Sequence, residues 1–279
     1  SRPARHNMRF LDNHYPPYDL TYSDVFLVPG PTDTKSRLSV DLITPDKIGT
    51  SIPLVVANMT TVAGRRMAET VARRGGLCVL PQDIPTSVLK TTITSVKKAH
   101  IVYETPITLT PGHTIRDALS LIHKRAHGAV IVVDNKQKPL GIFTEQDAGG
   151  LDLFTQLSNM SLPEPICLPA GLSPKKMYER LHGERLNVAP VIRAGKLIGI
   201  ISAKGALRSE LYKPALDKRG KLMVAVAIGI NGNVASKVKA VLACGADVIV
   251  MDTAHGHQRK MIEAIVAAKK VVGKAPLVA

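Results

Sequence analysis

The sequence contains no tryptophan, and its aromatic residues amount to only 4% of the chain. Any core must therefore be aliphatic, and the 45% of hydrophobic residues can supply one. No apolar run approaches the roughly 18–20 residues needed to span a bilayer, and no secretory hydrophobic segment stands near the start. The three cysteines, Cys78, Cys167 and Cys244, are far apart, odd in number and without a CxxC pair. That excludes a zinc ribbon and a disulfide framework and fits a reducing cytoplasm. Acidic residues are also few, 22 against 37 lysines and arginines, for a net charge of +15. Such a balance favours anionic partners. The basic residues are scattered, however, with no long tract and little aromatic interleaving. A basic surface around a phosphate site accounts for them better than nucleic acid does.

The 279 residues suffice for one large or two ordinary domains. Ser1 to Asn7 precede Met8 and carry no structural role in this reading. Residues 53–59 (PLVVANM) read as a buried strand, and residues 64–74 (GRRMAETVARR) carry apolar positions at helical spacing. Gly75 and Gly76 close that helix, and Leu77 to Leu80 form the next strand. This is a βαβ unit with parallel strands. A further helix is expected over 86–99. The same rhythm returns late: a strand over 222–228, a helix over 233–243, a strand over 248–251, a helix over 258–272 and the start of a strand at 276–279. The alternation implies α/β architecture.

The middle differs. After Tyr103-Glu104-Thr105-Pro106 an internal repeat begins and runs to about Tyr212. Gly112 matches Gly171, Val132-Val133 matches Val191-Ile192, and Gly141-Ile142 matches Gly199-Ile200. Each copy reads strand, helix, strand, turn, strand, helix start, and the two copies can bury each other's apolar face. They form one inserted domain with linkers near 103–106 and 211–216.

Residues 248–258 (VIVMDTAHGHQ) pose a chemical question, because an apolar strand runs into Asp252, Thr253, His255 and His257. Three readings are open: a metal site, a cofactor clamp or a helix cap. The metal reading lacks a third and fourth ligand. His123 and His127 in HKRAH stand one helical turn apart, but Lys124 occupies the place where a zinc-protease pattern needs Glu.

The repeat resembles a tandem cystathionine-β-synthase-type (CBS) domain pair. Its most specific mark is GIFTEQD, which provides Thr144 and Asp147. The resemblance implies that Asp147 binds a ribose diol and Thr144 a phosphate of a purine nucleotide, ATP or GTP. Read without the resemblance, the same two residues make an N-cap with a first-turn acid. The second copy reads GIISAKG, so Gly205 stands where the aspartate would be.

The flanking parts resemble the IMP dehydrogenase and GMP reductase family. Residues 19–30 (DLTYSDVFLVPG) look like its N-terminal signature, PLVVANMTTV like its first barrel strand, and VIVMDTAHGHQ like its cofactor strand. The resemblance implies a (β/α)₈ TIM barrel, incomplete in this chain, with the CBS pair inserted. Residues 8–104 would be the first part of the barrel, 105–212 the regulatory pair, and 213–279 the continuation of the barrel. Asp252 would then bind the nicotinamide-side ribose, with Thr253, Ala254, His255 and Gly256 lining the dinucleotide. Ala57, Asn58 and Met59 would contact the substrate, Met59 packing on the purine.

The two family reactions share a covalent thioimidate made by a catalytic cysteine. The dehydrogenase oxidises IMP to XMP with NAD; the reductase converts GMP to IMP and ammonia with NADPH. Ala57-Asn58-Met59, the CBS pair and GINGN look most like the CBS-containing reductase of actinobacteria. Gln82 departs from this pattern, since short reductases place a catalytic lysine there; Thr60 replaces the usual aspartate. No GxGxxC-type loop is present, so the nucleophile, and the K⁺ ion associated with that loop, are assigned to no residue of this sequence. The expectation is a piece of a longer protein that stops before this loop. By resemblance the whole protein is a cytoplasmic homo-tetramer, pairing into an octamer through the CBS domains, with no membrane partner. The alternatives are an IMP dehydrogenase and a non-catalytic nucleotide sensor.

Overall fold

A computed structural model of the chain describes residue 10 and residues 14–124 and 126–279. Met8, where the barrel part was placed, and Arg125 of HKRAH lie outside the described residues. The chain divides into two compact units, 1–41 and 42–279. In the first, two single 3₁₀ turns, Tyr22–Asp24 and Arg37–Ser39, interrupt extended chain. Thr21 and Asp24 cap the first turn reciprocally. No described residue of this unit is buried.

The second unit opens with β1 (Val55–Val56), α1 (Arg65–Arg73), β2 (Leu77–Leu80) and α2 (Thr86–Lys98). Two similar modules follow. One holds β3 (Thr108–Leu109), α3 (Ile115–Ile122), β4 (Ala129–Val133) and β5 (Pro139–Thr144). The other holds β6 (Leu168–Pro169), α4 (Pro174–Gly183), β7 (Val188–Arg193), β8 (Lys196–Ser202) and α5 (Ala203–Leu211). The first pattern then resumes with β9 (Ala225–Gly229), α6 (Val234–Ala243), β10 (Val248–Asp252), α7 (Arg259–Lys269) and β11 (Leu277–Val278).

Five of these strands form one sheet in the order β1-β2-β9-β10-β11, and every pairing in it is parallel. The strand residues alternate between two apolar layers. Cys78, Leu80, Val226 and Ile228 pack with the helices on one face. Leu77, Val79, Ala225 and Ala227 pack on the other. The α/β reading therefore holds, and the parallel sheet is consistent with the barrel of the resemblance. Each module carries its own three-stranded sheet, β3-β4-β5 or β6-β7-β8, with the first pair parallel and the second antiparallel. The ladders are irregular at matching places, Val132/Val133 and Val191/Ile192. Ala129, Ile131 and Val133 of one module pack with Ile200 of the other, so the copies do bury each other's apolar face.

Helix boundaries follow their local chemistry. Gly75 ends α1 with φ +92°, and a Cβ there would lie within 1.9 Å of Ser51 Oγ, so conformation and space both demand glycine. Asn233 caps α6 by accepting the Ser236 amide at 2.9 Å. The first strand is shorter than residues 53–59 suggest, because the chain turns at Ala57, whose carbonyl accepts the Met59 amide at 2.8 Å. Residues Leu222 to Val224 lead into β9 outside the ladder; the Val224 amide donates to Asp247 Oδ2 at 2.8 Å instead.

One ionic cluster joins the end of α2 to the segments that lead into β9 and β10. Lys97 Nζ at the end of α2 lies 2.9 Å from Asp217 Oδ2 and 2.6 Å from Asp247 Oδ2. Burial pushes both carboxyls up. At Asp217 hydrogen bonds from Lys97 and from the amides of Lys221 and Arg219 outweigh burial, so its pKa falls below the usual carboxylate value. At Asp247 burial prevails and the pKa rises.

Replacing Lys97 with methionine leaves two poorly hydrated carboxylates facing each other. The expected loss is on the order of 3 kcal/mol in urea unfolding near neutral pH. Because Asp247 takes up a proton more readily than an ordinary aspartate, the loss should shrink as pH falls toward the carboxylate range. A Lys97→Met protein as stable as the parent at neutral pH would show that the cluster contributes nothing.

Candidate functional site

In an all-parallel sheet every strand delivers its last residue to the same edge. Here that edge collects the Ala57-Asn58-Met59 turn after β1, Gln82 after β2, the Ile230-to-Asn233 loop after β9, and Asp252 at the end of β10. Asn58 Nδ2 donates to Asp252 Oδ2 at 2.8 Å, joining residues from opposite parts of the sequence. Asp252 is paired in register with Gly229 of β9. A Cβ at Gly229 would come within 2.2 Å of Gln82 Oε1, so the glutamine side chain lies directly over that backbone. The structure thus brings together Asn58, Gln82 and Asp252, which sequence reasoning had assigned to different tasks.

The neighbouring side chains differ in exposure. Met59 is 57% exposed, an unusual setting for a large thioether and one that leaves its surface free for a planar apolar partner. Ala57 is also exposed, whereas Asn58 and Asp252 are half-buried. Thr253 Oγ1 accepts from Gln258 Nε2 at 2.8 Å, and the same amide nitrogen donates to the His255 carbonyl at 3.0 Å. Gln258, not Asp252, is the N-cap of α7. The cap reading of Asp252 is therefore replaced by the contact with Asn58. Ala254, His255, Gly256 and His257 are exposed. The two imidazole rings stand 6.2 Å apart, and no cluster of three His, Cys, Asp or Glu among the described residues could hold a metal ion. A Cβ at Gly256 would meet open space, so no packing inside the chain requires glycine there.

Sequence reasoning missed two basic residues at this edge. Lys260 Nζ donates to Asn231 Oδ1 at 2.6 Å, and Lys237 Nζ donates to the Asn231 carbonyl at 2.8 Å. They converge on the GINGN loop from α7 and α6. Their only sequence signal is one lysine in the first turn of each helix.

Thr144 and Asp147 lie elsewhere, at the end of β5. The Thr144 amide and hydroxyl both donate to Asp147 Oδ2, at 2.7 and 2.8 Å, in a reciprocal cap. The capping reading is thus correct as local structure. Asp147 also lines a cavity of about 310 Å³ with Thr155, Asn159 and Ser161. In the second module the Gly205 amide donates to Ser202 Oγ at 3.0 Å. A Cβ at Gly205 would lie 2.9 Å from that oxygen and 3.4 Å from Glu104 Oε1. Placing an aspartate at 205 would set two carboxylates together in a tight space.

Neither Cys78 nor Cys167 is poised as a nucleophile. Cys78 is fully buried within β2, and burial pushes its thiol up to about 11. Burial also raises Cys167. Cys244 is half-exposed at the C-cap of α6. His123 Nε2 stands 3.8 Å from Glu145 Oε2 with both side chains largely exposed, an ion pair of little structural weight. Among the described residues no helix is long and apolar enough to cross a membrane.

Residues 19–279 match the model of the IMP dehydrogenase / GMP reductase domain. A GMP reductase of Mycobacterium tuberculosis is 48% identical over 273 residues, covering 98% of this chain and 57% of that protein. An inosine-5'-monophosphate dehydrogenase of Staphylococcus aureus is 31% identical over 269 residues, covering 93% of this chain and 55% of that protein. Among solved structures, GMP reductase from Trypanosoma brucei in complex with guanosine 5'-triphosphate superposes with a TM-score of 0.60 at 26% identity, covering 94% of this chain and 65% of that chain. The chain spans a little over half the length of the curated relatives it matches.

At neutral pH a thiol reagent should label Cys167 and Cys244 in the folded protein and leave Cys78 unmodified until urea unfolds it. Labelling of Cys78 at the rate of a free thiol would contradict its burial and raised pKa.

Proposed function

The chain belongs to the IMP dehydrogenase / GMP reductase family, and we propose that the whole protein is a GMP reductase, an oxidoreductase of purine nucleotide interconversion. It reduces GMP to IMP with NADPH and releases ammonia. The observation that carries this reading is the 2.8 Å contact between Asn58 and Asp252. It puts the proposed purine-side turn next to the proposed dinucleotide-side strand, as hydride transfer between two bound nucleotides requires.

Asp252 accepts the ribose diol of the dinucleotide, for which a carboxylate with one oxygen engaged still has acceptor capacity. Asn58 holds that carboxylate in place. Thr253, Ala254, His255 and Gly256 border the dinucleotide, and Ala57, Asn58 and Met59 border the purine, with exposed Met59 as its apolar platform. The bound dinucleotide supplies the hydride; the residues named here bind and orient. The nucleophile remains unassigned, and a K⁺ ion would belong to the loop that carries it. One observation favours the second reading, an NAD-dependent IMP dehydrogenase: Gln82 cannot deliver a proton as a lysine would, and it sits over Gly229 at the strand edge.

The barrel, the tandem CBS pair and their boundaries at 8–104, 105–212 and 213–279 belong to the same proposal. The repeated β-α-β-β modules support the pair. The cavity beside Asp147 supports a purine nucleotide effector, ATP or GTP, bound through Thr144 and Asp147. Assembly as a tetramer, pairing to an octamer through the CBS domains, and a cytoplasmic location follow from the same family reading.

The test is turnover by the whole protein. On adding GMP, NADPH absorbance should fall and ammonia should appear in equal amount. NADH formation from NAD and IMP, with no ammonia from GMP, would replace the reductase by the dehydrogenase. Neither activity would leave a nucleotide-binding protein without catalysis.

A further inference from the structure

A cavity of about 680 Å³ opens where α1, the linker before the first module and the end of α3 come together. Residues 60–67 and Thr70 form one wall, Glu104 of the linker another, and Lys124 and Ala126 the third. It shares no lining residue with the strand-edge candidates or with the cavity beside Asp147. Its volume lies within the range of about 300–1,000 Å³ typical of small-molecule sites.

The lining chemistry is one-sided. Among the described residues that line it, Arg65, Arg66 and Lys124 are basic and Glu104 is the one acid. Both arginines are already positioned. Arg65 Nε donates to Oε1 of the fully buried Glu69 at 2.8 Å, and Arg66 donates to the Lys124 carbonyl oxygen. A cation held in place loses less side-chain entropy when it binds a ligand. Thr60, Thr61 and Thr70 add hydroxyl donors. The start of α1 has neither a side-chain cap at Gly64 nor an acid in its first turn, so nothing there offsets the positive end of the helix. Each of these features favours an anion with several acceptor oxygens.

Glu104 supplies the opposite requirement. It is fixed by two backbone hydrogen bonds with Ile200, at 2.8 and 3.0 Å, so its position belongs to the second module's sheet. One acid and three bases among the described lining residues suit an anionic ligand that also carries hydroxyl donors. We propose that this cavity binds a phosphorylated small molecule with free hydroxyl groups, the chemistry shared by sugar phosphates and nucleotides. The site stands independently of the reductase reading and of Asp147. Its ligand would touch α1, the end of the first module and the linker residue Glu104, which is paired with the second module's sheet.

The test titrates inorganic pyrophosphate, and separately ribose 5-phosphate, into the protein calorimetrically at low salt. Both should bind saturably, with affinity falling as salt is added. Lys124→Glu keeps the backbone carbonyl that Arg66 uses and should weaken pyrophosphate about tenfold or more, with Lys124→Arg restoring it. Glu104→Gln should weaken ribose 5-phosphate more than pyrophosphate. Asp147→Ala should leave pyrophosphate affinity within about twofold. Absence of saturable binding would overturn the proposal, as would parental affinity in both Lys124→Glu and a folded Arg66→Gln protein. Loss of binding in Asp147→Ala alone would move the anion to the other cavity and overturn it equally. Failure of GMP turnover would leave these outcomes unchanged, so the two proposals fall separately.

Discussion

The pairing of β2 with β9 is the constraint on which the rest of the second unit depends. Val79 lies beside Ala225 and Leu80 beside Val226, yet the two modules stand between them in sequence. Closing so long an excursion costs chain entropy, though the cost grows only slowly with length. Local bonds on the far side of the sheet offset it. The Ala215 amide donates to the Ala72 carbonyl at 2.8 Å as the chain returns, and Lys97 holds Asp217 and Asp247 together. With β2 and β9 joined, the strands before and after the insertion form one sheet with two apolar faces, and the modules can be treated as a unit carried on it.

Direction follows from that pairing. Because β2 and β9 run parallel, the turn after β1 and the end of β10 come to one edge, and Asn58 meets Asp252. An antiparallel junction would have sent them to opposite ends of the sheet. The linker carries the opposite relation. Glu104 extends the second module's sheet through Ile200, and the adjacent Thr105 hydroxyl donates to Glu69 of α1 at 2.8 Å. Two neighbouring linker residues therefore bind different partners, Glu104 the second module and Thr105 the helix that follows the candidate substrate turn.

Much of this was legible in the sequence wherever a single local cause decides. Leu77 to Leu80 is bounded by glycines and proline, and the strand lies there. Asn233 announces the start of α6, and the matched glycines and valines of the two modules reveal the repeat before any pairing is known. Local sequence also set the Thr144–Asp147 cap. What escaped were contacts between distant segments. Nothing near Asp252 says that Asn58 will take its Oδ2, nor that Gln258 will stand at the N-cap position of the next helix. PLVVANM reads as a longer strand because its apolar run is continuous, while the turn at Ala57 depends on what the following residues must reach. Gly205 reads as a vacancy in a motif until Glu104 is seen beside it.

The claim at the centre is that Asn58 and Asp252 act as one site. A double-mutant cycle on NADPH affinity in the whole protein tests it most directly, using Asn58→Ala, Asp252→Ala and both together. If Asn58 holds the carboxylate that receives the ribose, the two losses should be non-additive, with a coupling of about 0.5–3 kcal/mol, the range for side chains in direct contact. Losses that simply add, or an unchanged affinity in Asp252→Ala, would contradict a shared dinucleotide site at this edge of the sheet.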